Sequence, residues 1–581
     1  MHAAVAKAES LSYFRGVEDP ALLHLCVGQA LDRSADRFPD RPALIVRHQN
    51  KRYTYAALRD EVNRVARALM ALGIKKGDRV GVWATNCAEW VLLQFATAKI
   101  GAILVNMNLR YRAHELQYAL KQSECQSLFL IRGFRDCDYV ETLFTLAPEC
   151  RVSKPGAFNS AGLPHLRNLV FIPASRSDQT PEAMFSWDAL LELSTQVSPS
   201  QLSEREASLD PHDPINIQYT SGTTGSPKGA TLSHYSIVNN GLLIGNAMRM
   251  TEQDSICIPV PFYHCFGMVL GNMNCVVAGA AMVIPADYFD PLATLSTIHE
   301  ERCTAVHGVP TMFIAELDHP RFREFDVTSL RTGIMAGSSC PIELMRRVVS
   351  EMHCSELTIA YGLTECSPVI TQTSTDDPLE IRVASVGRAL PHTEVKIVDV
   401  QTGETVATGE NGELCARGYM VMNGYYNDPQ GTAEAIDAEG WLHTGDVAVV
   451  DDAGYFKITG RIKEMIIRGG ENIYPREIEE FLHHCPAIAD VQVVGIPDAK
   501  YGEEVMAWVK LREGAELTYD DIKAFCKGRI ADFKIPRHVK FVNDFPLTVT
   551  GKVQKFRMRE IAVSEMGLQD VASHQKITGH P

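Results

Sequence analysis

The sequence predicts an α/β protein, with a large N-terminal domain of layered sheets and helices and a small α+β domain after it. Three observations carry this. Apolar, β-branched stretches alternate with helix-periodic ones through most of the chain, the pattern of parallel strands joined by helical crossovers. The texture changes after Arg461, where a compact run of helix, strand, strand and helix begins. A length of 581 residues also exceeds what one ordinary core accommodates.

Taken in order, Thr54 caps a helix whose apolar face is Leu58, Val62, Val65 and Leu69, and Gly73 ends it. Residues 79–84 read as a strand and 90–100 as a second helix. A strand-like stretch at 215–219 leads into a polar, glycine-rich segment, and a helix starts near His234. In layered α/β folds, anion-binding loops of this kind lie at strand ends facing a crevice. Beyond Arg461, Pro475 opens a helix with Ile478, Phe481 and Leu482 on one face. Strands follow at 491–496 and 504–511, then a helix at 518–530 capped by Thr518. About 120 residues suffice for an independent domain. The expected domains are therefore 1–461 and 462–581. The joint near 461–464 has almost no spacer, which confines motion to rotation about a few residues, as a hinge requires.

Composition narrows the function. Hydrophobic residues make up 45% and charged ones 22%, a globular balance. The net charge of −15 excludes general nucleic-acid binding. Polyanionic ligands must then be met by local cations and backbone N–H groups, not by the mean field. The fifteen cysteines are scattered, with no C-x-x-C pair and no Cys/His cluster at zinc-ligand spacing. His483, His484 and Cys485 are adjacent but point in different directions, and read as surface and core residues. Free thiols fit a reducing compartment. The first 16 residues lack a signal-peptide apolar region, and the longest apolar stretch, at 276–284, is well short of the ~20 residues that span a bilayer. A cytoplasmic protein without a transmembrane segment is expected; a homodimer is admitted.

The most informative segment is Y-T-S-G-T-T-G-S-P-K-G at 219–229. Its glycines allow backbone N–H groups to turn toward an anion. The hydroxyls of Thr220, Ser221, Thr223 and Thr224 and the Lys228 ammonium complete a phosphate cradle around Gly222 and Gly225. The Walker A pattern cannot be laid over it. Downstream come Y-G-L-T-E (361–365), W-L-H-T-G-D (441–446), G-R-I-K-E (460–464), R-G-G-E-N-I-Y-P-R-E-I-E (468–479) and P-L-T-V-T-G-K (546–552). In this order the motifs make residues 30–560 resemble the adenylate-forming superfamily of acyl-CoA synthetases, adenylation domains and luciferases, and its medium-chain fatty acyl-CoA synthetase branch in particular.

The resemblance implies a β-rich subdomain within the large domain and a mobile small one. It also implies ATP, Mg²⁺ and coenzyme A as reactants, with a small-molecule carboxylic acid as substrate. On that reading Lys552 bridges the carboxylate and the α-phosphate, and Glu365 and Thr220 hold the metal. Gly337, Tyr361, Gly362 and Thr364 meet the nucleotide, Asp446 the ribose hydroxyls, and Arg461 the ribose and phosphate. Lys463 matches the hinge, and Gly469 and Gly470 the pantetheine channel. His264, in P-F-Y-H-C-F-G (261–267), borders the substrate carboxylate, with acyl lining from 309–313 and 336–339. The aspartate by which amino-acid-activating members hold an ammonium is missing from 262–267, which disfavours an amino acid substrate. The expected reaction is ATP-dependent conversion of a lipophilic acid to acyl-AMP and then acyl-CoA. An aryl or polycyclic acid ligase, and an acyl-AMP ligase loading a carrier protein, remain open alternatives.

Overall fold

The computed structural model describes residues 10–174, 178–220, 227–338, 340–469, 471–547 and 553–569. They form two compact units, one from Phe14–Val395 and Ala416–Leu442, the other from the described residues of Met1–Tyr13, Lys396–Cys415 and His443–Pro581.

The larger unit is built on two mixed sheets. One has eight strands, ordered Phe185–Ser186, Asn168–Phe171, Ser127–Leu130, Arg79–Trp83, Ile103–Asn106, Pro214–Thr220, Lys228–Ser233 and Gly424–Tyr425. The first six run parallel and the last two are added antiparallel. The other has nine strands, with a parallel centre that includes Ala305–Gly308, Thr332–Met335 and Glu356–Gly362. Val369–Gln372 and Arg388–Ala389 extend it antiparallel at one edge. Parallel strands are covered on both faces by their crossover helices and read as near-continuous apolar runs. Val80, Val82 and Trp83 are accordingly all fully buried.

Local signals place the helices. Tyr55–Ala71 begins at Thr54, whose hydroxyl accepts from the Ala57 N–H at 3.2 Å, and buries Leu58, Val62, Val65 and Leu69. Ala88–Ile100 is buried along its whole length, so its sequence carries no polar stripe. Its Lys99 is 1% exposed, and the ammonium is paired with Asp32 at 2.6 Å and Glu206 at 2.7 Å. An interior ammonium persists only when paired in this way. The apolar stretch at 276–284 is divided: Asn274–Ala278 ends a helix, Gly279 turns at φ +79°, and Ala281–Ile284 is a strand.

In the smaller unit, Leu442–Val450 and Phe456–Arg461 form an antiparallel pair with Asp446 opposite Arg461. A separate sheet runs Glu471–Ile473, Ile466–Arg468, Gly502–Leu511, Ile488–Asp498, with His538–Phe541 parallel to Gly502–Leu511. Ile478 and Leu482 of the helix Pro475–Leu482 pack into its core with Val491, Val493 and Val505. The helix after Thr518 is shorter than its letters suggest. It spans Tyr519–Cys526, because Lys527 leaves helical geometry at ψ 124° and Gly528 follows at φ +73°.

One buried group in the larger unit sets a pH dependence. Glu316, on the helix Pro310–Leu317, is 1% exposed, and neither carboxyl oxygen has a hydrogen-bond partner among the described residues. Burial pushes its pKa up to about 8. The folded state therefore holds a proton that the unfolded chain gives up near 4.5. Its contribution to stability is fully present below 4.5, falls as pH rises to about 8, and is flat above. Urea unfolding of Glu316→Gln should show the variant gaining on the wild type by up to about 4 kcal/mol between pH 5 and pH 8. Parallel stability curves over that range would contradict the assignment.

Candidate functional site

Strand ends of the larger unit bring together groups that are far apart in the chain. Thr220 closes the strand Pro214–Thr220 and sits opposite Lys228, the first residue of the antiparallel strand Lys228–Ser233. After Glu356–Gly362 the chain turns through the short 3₁₀ helix Thr364–Cys366, which carries Glu365. Glu365 is 8% exposed, and its Oε1 accepts from the Thr220 hydroxyl at 3.4 Å and the Tyr425 hydroxyl at 2.8 Å. The turn is held from behind. The Met422 N–H donates to the Glu365 carbonyl at 2.8 Å, and the Ser367 hydroxyl to the Met420 carbonyl at 2.8 Å.

Tyr425 stands in none of the motifs, yet it joins the set. Its ring lies 5.0 Å below the Lys228 ammonium, a cation–π contact. Burial, and next the Glu365 charge, raise its pKa, so the phenol keeps its proton and donates it to Glu365. Lys228 also lies 3.9 Å from a Glu434 carboxylate oxygen. The carboxylate and hydroxyl oxygens are the ligand type that suits a phosphate-bound hard cation, and the ammonium beside them suits the phosphate itself.

Gly337 and Tyr361, two of the nucleotide residues expected from the sequence, lie at or just past the ends of neighbouring strands of the larger unit. Met335 pairs with Ile359 in parallel register, so Gly337 and Tyr361 stand at equivalent positions two residues further on. Gly337 adopts φ +89°. At Gly362 a Cβ would lie 1.9 Å from the Pro368 carbonyl oxygen, so only glycine allows the chain to pass there. The segment 261–267 is pinned to the same region. The Phe262 N–H donates to the Asn86 side chain at 2.9 Å, and the Asn106 amide to the Tyr263 carbonyl at 3.0 Å. The Cys265 thiol donates to Gln218 at 3.1 Å, two residues before Thr220. His264 Nδ1 accepts from the Phe266 N–H at 3.2 Å. From Phe266 to Met273 the chain is a buried π-helix, a rare form concentrated at functional sites.

The remaining described residues of the reading belong to the smaller unit. Asp446 is 3% exposed, with its carboxylate 2.7 Å from Arg461 Nε. Lys463 lies in the 3₁₀ turn Ile462–Glu464, whose Glu464 is 3.4 Å from the Lys555 ammonium. The Gly469 N–H donates to the Tyr501 carbonyl at 2.7 Å. Ser221, Gly222, Thr223, Thr224, Gly225, Gly470 and Lys552 lie outside the described residues.

The steric requirement at Gly362 is open to test. Gly362→Ala should lower the unfolding free energy by about 1–3 kcal/mol, the usual range for an overpacked site. An unchanged urea midpoint would show that the turn before Glu365 tolerates a side chain.

Comparison with known proteins bears on the whole chain. The AMP-binding enzyme family matches residues 31–426, and the AMP-binding enzyme C-terminal domain matches 477–552. The Bacillus subtilis (strain 168) protein YngI is 52% identical over 547 residues, covering 94% of this chain and 99% of that protein. The human mitochondrial medium-chain acyl-CoA ligase ACSF2 is 44% identical over 554 residues, covering 95% and 89%. Among solved structures, ATP-bound MatB from Rhodopseudomonas palustris superposes with a TM-score of 0.78 at 28% identity, covering 93% of this chain and 99% of that one. A Mycobacterium tuberculosis fatty acyl CoA synthetase gives 0.69 at 28%, with the same coverage. The large α/β unit with its glycine-rich strand connection and acidic turn, and these matches across nearly its full length, place the chain in the AMP-binding enzyme family.

Proposed function

We propose that this protein is an AMP-forming acid–CoA ligase acting on a lipophilic, medium-chain carboxylic acid. The observation that carries the reading is the meeting of Thr220, Lys228 and Glu365 in one corner, with Thr220 and Glu365 3.4 Å apart. The substrate class rests on the medium-chain acyl-CoA ligases that are 44% identical over about 95% of the chain. It also rests on the absence of an acid from 262–267.

A carboxylate cannot acylate a thiol directly, because its leaving group would be oxide. In the proposed first step a carboxylate oxygen attacks the α-phosphorus of ATP, the bond to the bridging oxygen breaks, and pyrophosphate leaves. Negative charge gathers on the phosphoryl oxygens, so positioned cations and N–H donors do the catalytic work. Lys228 and the 221–225 segment meet the departing phosphates. In this reading the role of Lys552 is to bridge the carboxylate and the α-phosphate, that of Thr364 to donate to the α-phosphate, and that of Tyr361 to offer a face to adenine. Asp446 accepts from both ribose hydroxyls and Arg461 caps them. His264 borders the acid. The Thr220 hydroxyl and the Glu365 carboxylate are hard oxygen donors suited to Mg²⁺, which neutralises phosphate charge when bound. In the second step the CoA thiol attacks the acyl carbon and AMP departs. Lys463 is the hinge that turns 462–581 between the steps, and Gly469 and Gly470 leave room for the pantetheine.

Three outcomes check this. A screen of straight-chain, branched and aromatic acids should give CoA-dependent AMP release, highest with medium straight chains. Release of AMP with every acid tested only when a carrier protein replaces CoA would overturn the free-thiol reading. Lys552→Gln should lower acid-dependent pyrophosphate release by at least ~100-fold, the scale of a lost transition-state cation; near-normal release contradicts its role. Gly470→Leu should spare adenylate formation while abolishing thioester formation, and equal loss of both half-reactions would refute the channel assignment.

A further inference from the structure

Outside the nucleotide residues, the smaller unit holds a compact set of metal-ligating side chains, a thiol, an imidazole and a carboxylate. Glu413 and Cys415 stand two apart on the strand Gly412–Gly418, so both side chains leave the same face. His443 comes from the strand Leu442–Val450 beside it, tied there by the Thr444 hydroxyl, which donates to the Leu414 carbonyl at 2.7 Å. His443 Nδ1 is 2.8 Å from Glu413 Oε2 and 3.4 Å from Cys415 Sγ, and the three ligand atoms all lie within 4.8 Å of one another. The thiol is buried, the carboxylate side chain is 13% exposed and the imidazole 34%, so the cluster opens to solvent on the histidine side.

Zinc binds thiolate at about 2.3 Å and imidazole or carboxylate at about 2.0–2.2 Å, so tetrahedral neighbours stand roughly 3.3–3.7 Å apart. The sulfur–nitrogen distance is already in that range, and the nitrogen–oxygen pair needs to open by about half an ångström. We propose that Glu413, Cys415 and His443 form a binding site for one zinc-class divalent cation, with the fourth position open to solvent. Cys415 supplies the selectivity, since a thiolate favours zinc and its neighbours over magnesium. On binding, the thiol releases its proton to solvent, as does His443 Nδ1 where it carries one, and no bond other than these N–H and S–H bonds breaks.

The site reaches the nucleotide residues through the backbone. Glu413 Oε1 accepts from the Gly445 N–H at 3.0 Å, and the Asp446 N–H donates to the Thr444 hydroxyl at 3.1 Å. A cation held by Glu413 and His443 therefore clamps the turn that presents Asp446. None of the three ligands takes part in the proposed ligase chemistry, so the site stands or falls separately from it.

Cobalt(II) titration of the full-length, chelator-treated protein tests this directly. The wild type should develop a sulfur-to-cobalt charge-transfer band that saturates at one equivalent, is erased by zinc and is indifferent to excess magnesium. Cys415→Ser should abolish the band. Cys340→Ser, which alters the partly exposed thiol elsewhere, should keep it. Where Cys415→Ser does not fold, His443→Gln answers the same question, by weakening cobalt binding at least ~10-fold. Absence of the band in the wild type, its survival in Cys415→Ser, its loss in Cys340→Ser, or unchanged affinity in His443→Gln would each overturn the site.

Discussion

Glu365 is a buried carboxylate, and the arrangement of the larger unit around it follows from that. Removing such a group from water costs several kcal/mol unless donors replace the lost hydration. Here the donors are the hydroxyls of Tyr425 and Thr220, which come from segments 60 and 145 residues away. To deliver them, the strand Pro214–Thr220 must end beside the turn after Glu356–Gly362, and the chain must return to lay Gly424–Tyr425 against Lys228–Ser233. The glycine at 362 and the carbonyl contacts of 420–422 serve the same end, because a turn carrying a charged side chain inward has to be held by its backbone.

Much of this was legible because the relevant signals are local. The Thr54 cap and the four-residue spacing behind it place the helix Tyr55–Ala71, the apolar run after Arg79 places Arg79–Trp83, and Ile215, Ile217 and Tyr219 at alternate positions place Pro214–Thr220. The superfamily motifs are short and contiguous, so the family could be read from letters alone. Properties that depend on distant partners were not readable. Nothing near Tyr425 marks it as a partner of Glu365, since its role exists only once three strands have met. The π-helix at Phe266–Met273 has no period that distinguishes it from an apolar helix. The helix after Thr518 stops short of Ile530, because Lys527 leaves helical geometry and Gly528 turns at φ +73°. The Glu413–Cys415–His443 cluster has no local ligand spacing, because its histidine lies 28 residues from the cysteine, on a neighbouring strand.

The division of residues between the two units has a chemical logic under the proposed function. The groups assigned to phosphate, metal and acid (Thr220, Lys228, Glu365 and His264) belong to the larger unit. Those assigned to ribose, hinge and thiol access (Asp446, Arg461, Lys463 and Gly469) belong to the smaller. Under the proposal the hinge at Lys463 follows Asp446 and Arg461 in the chain, so Lys552 of the first step and Gly469 of the second, both beyond it, can be exchanged while the groups assigned to phosphate, metal, acid and ribose stay in place. The net charge of −15 adds to the need for locally placed cations at a polyanionic substrate.

The central claim is that the acid is activated as a mixed anhydride with AMP. Oxygen isotope transfer measures this most directly. A medium-chain acid labelled with ¹⁸O in its carboxylate is turned over with ATP and CoA, and the AMP and pyrophosphate are analysed by mass spectrometry. The account predicts one labelled oxygen in AMP and none in pyrophosphate. Label in a released phosphate with ADP as the nucleotide product, or thioester formed with unlabelled AMP, would contradict it.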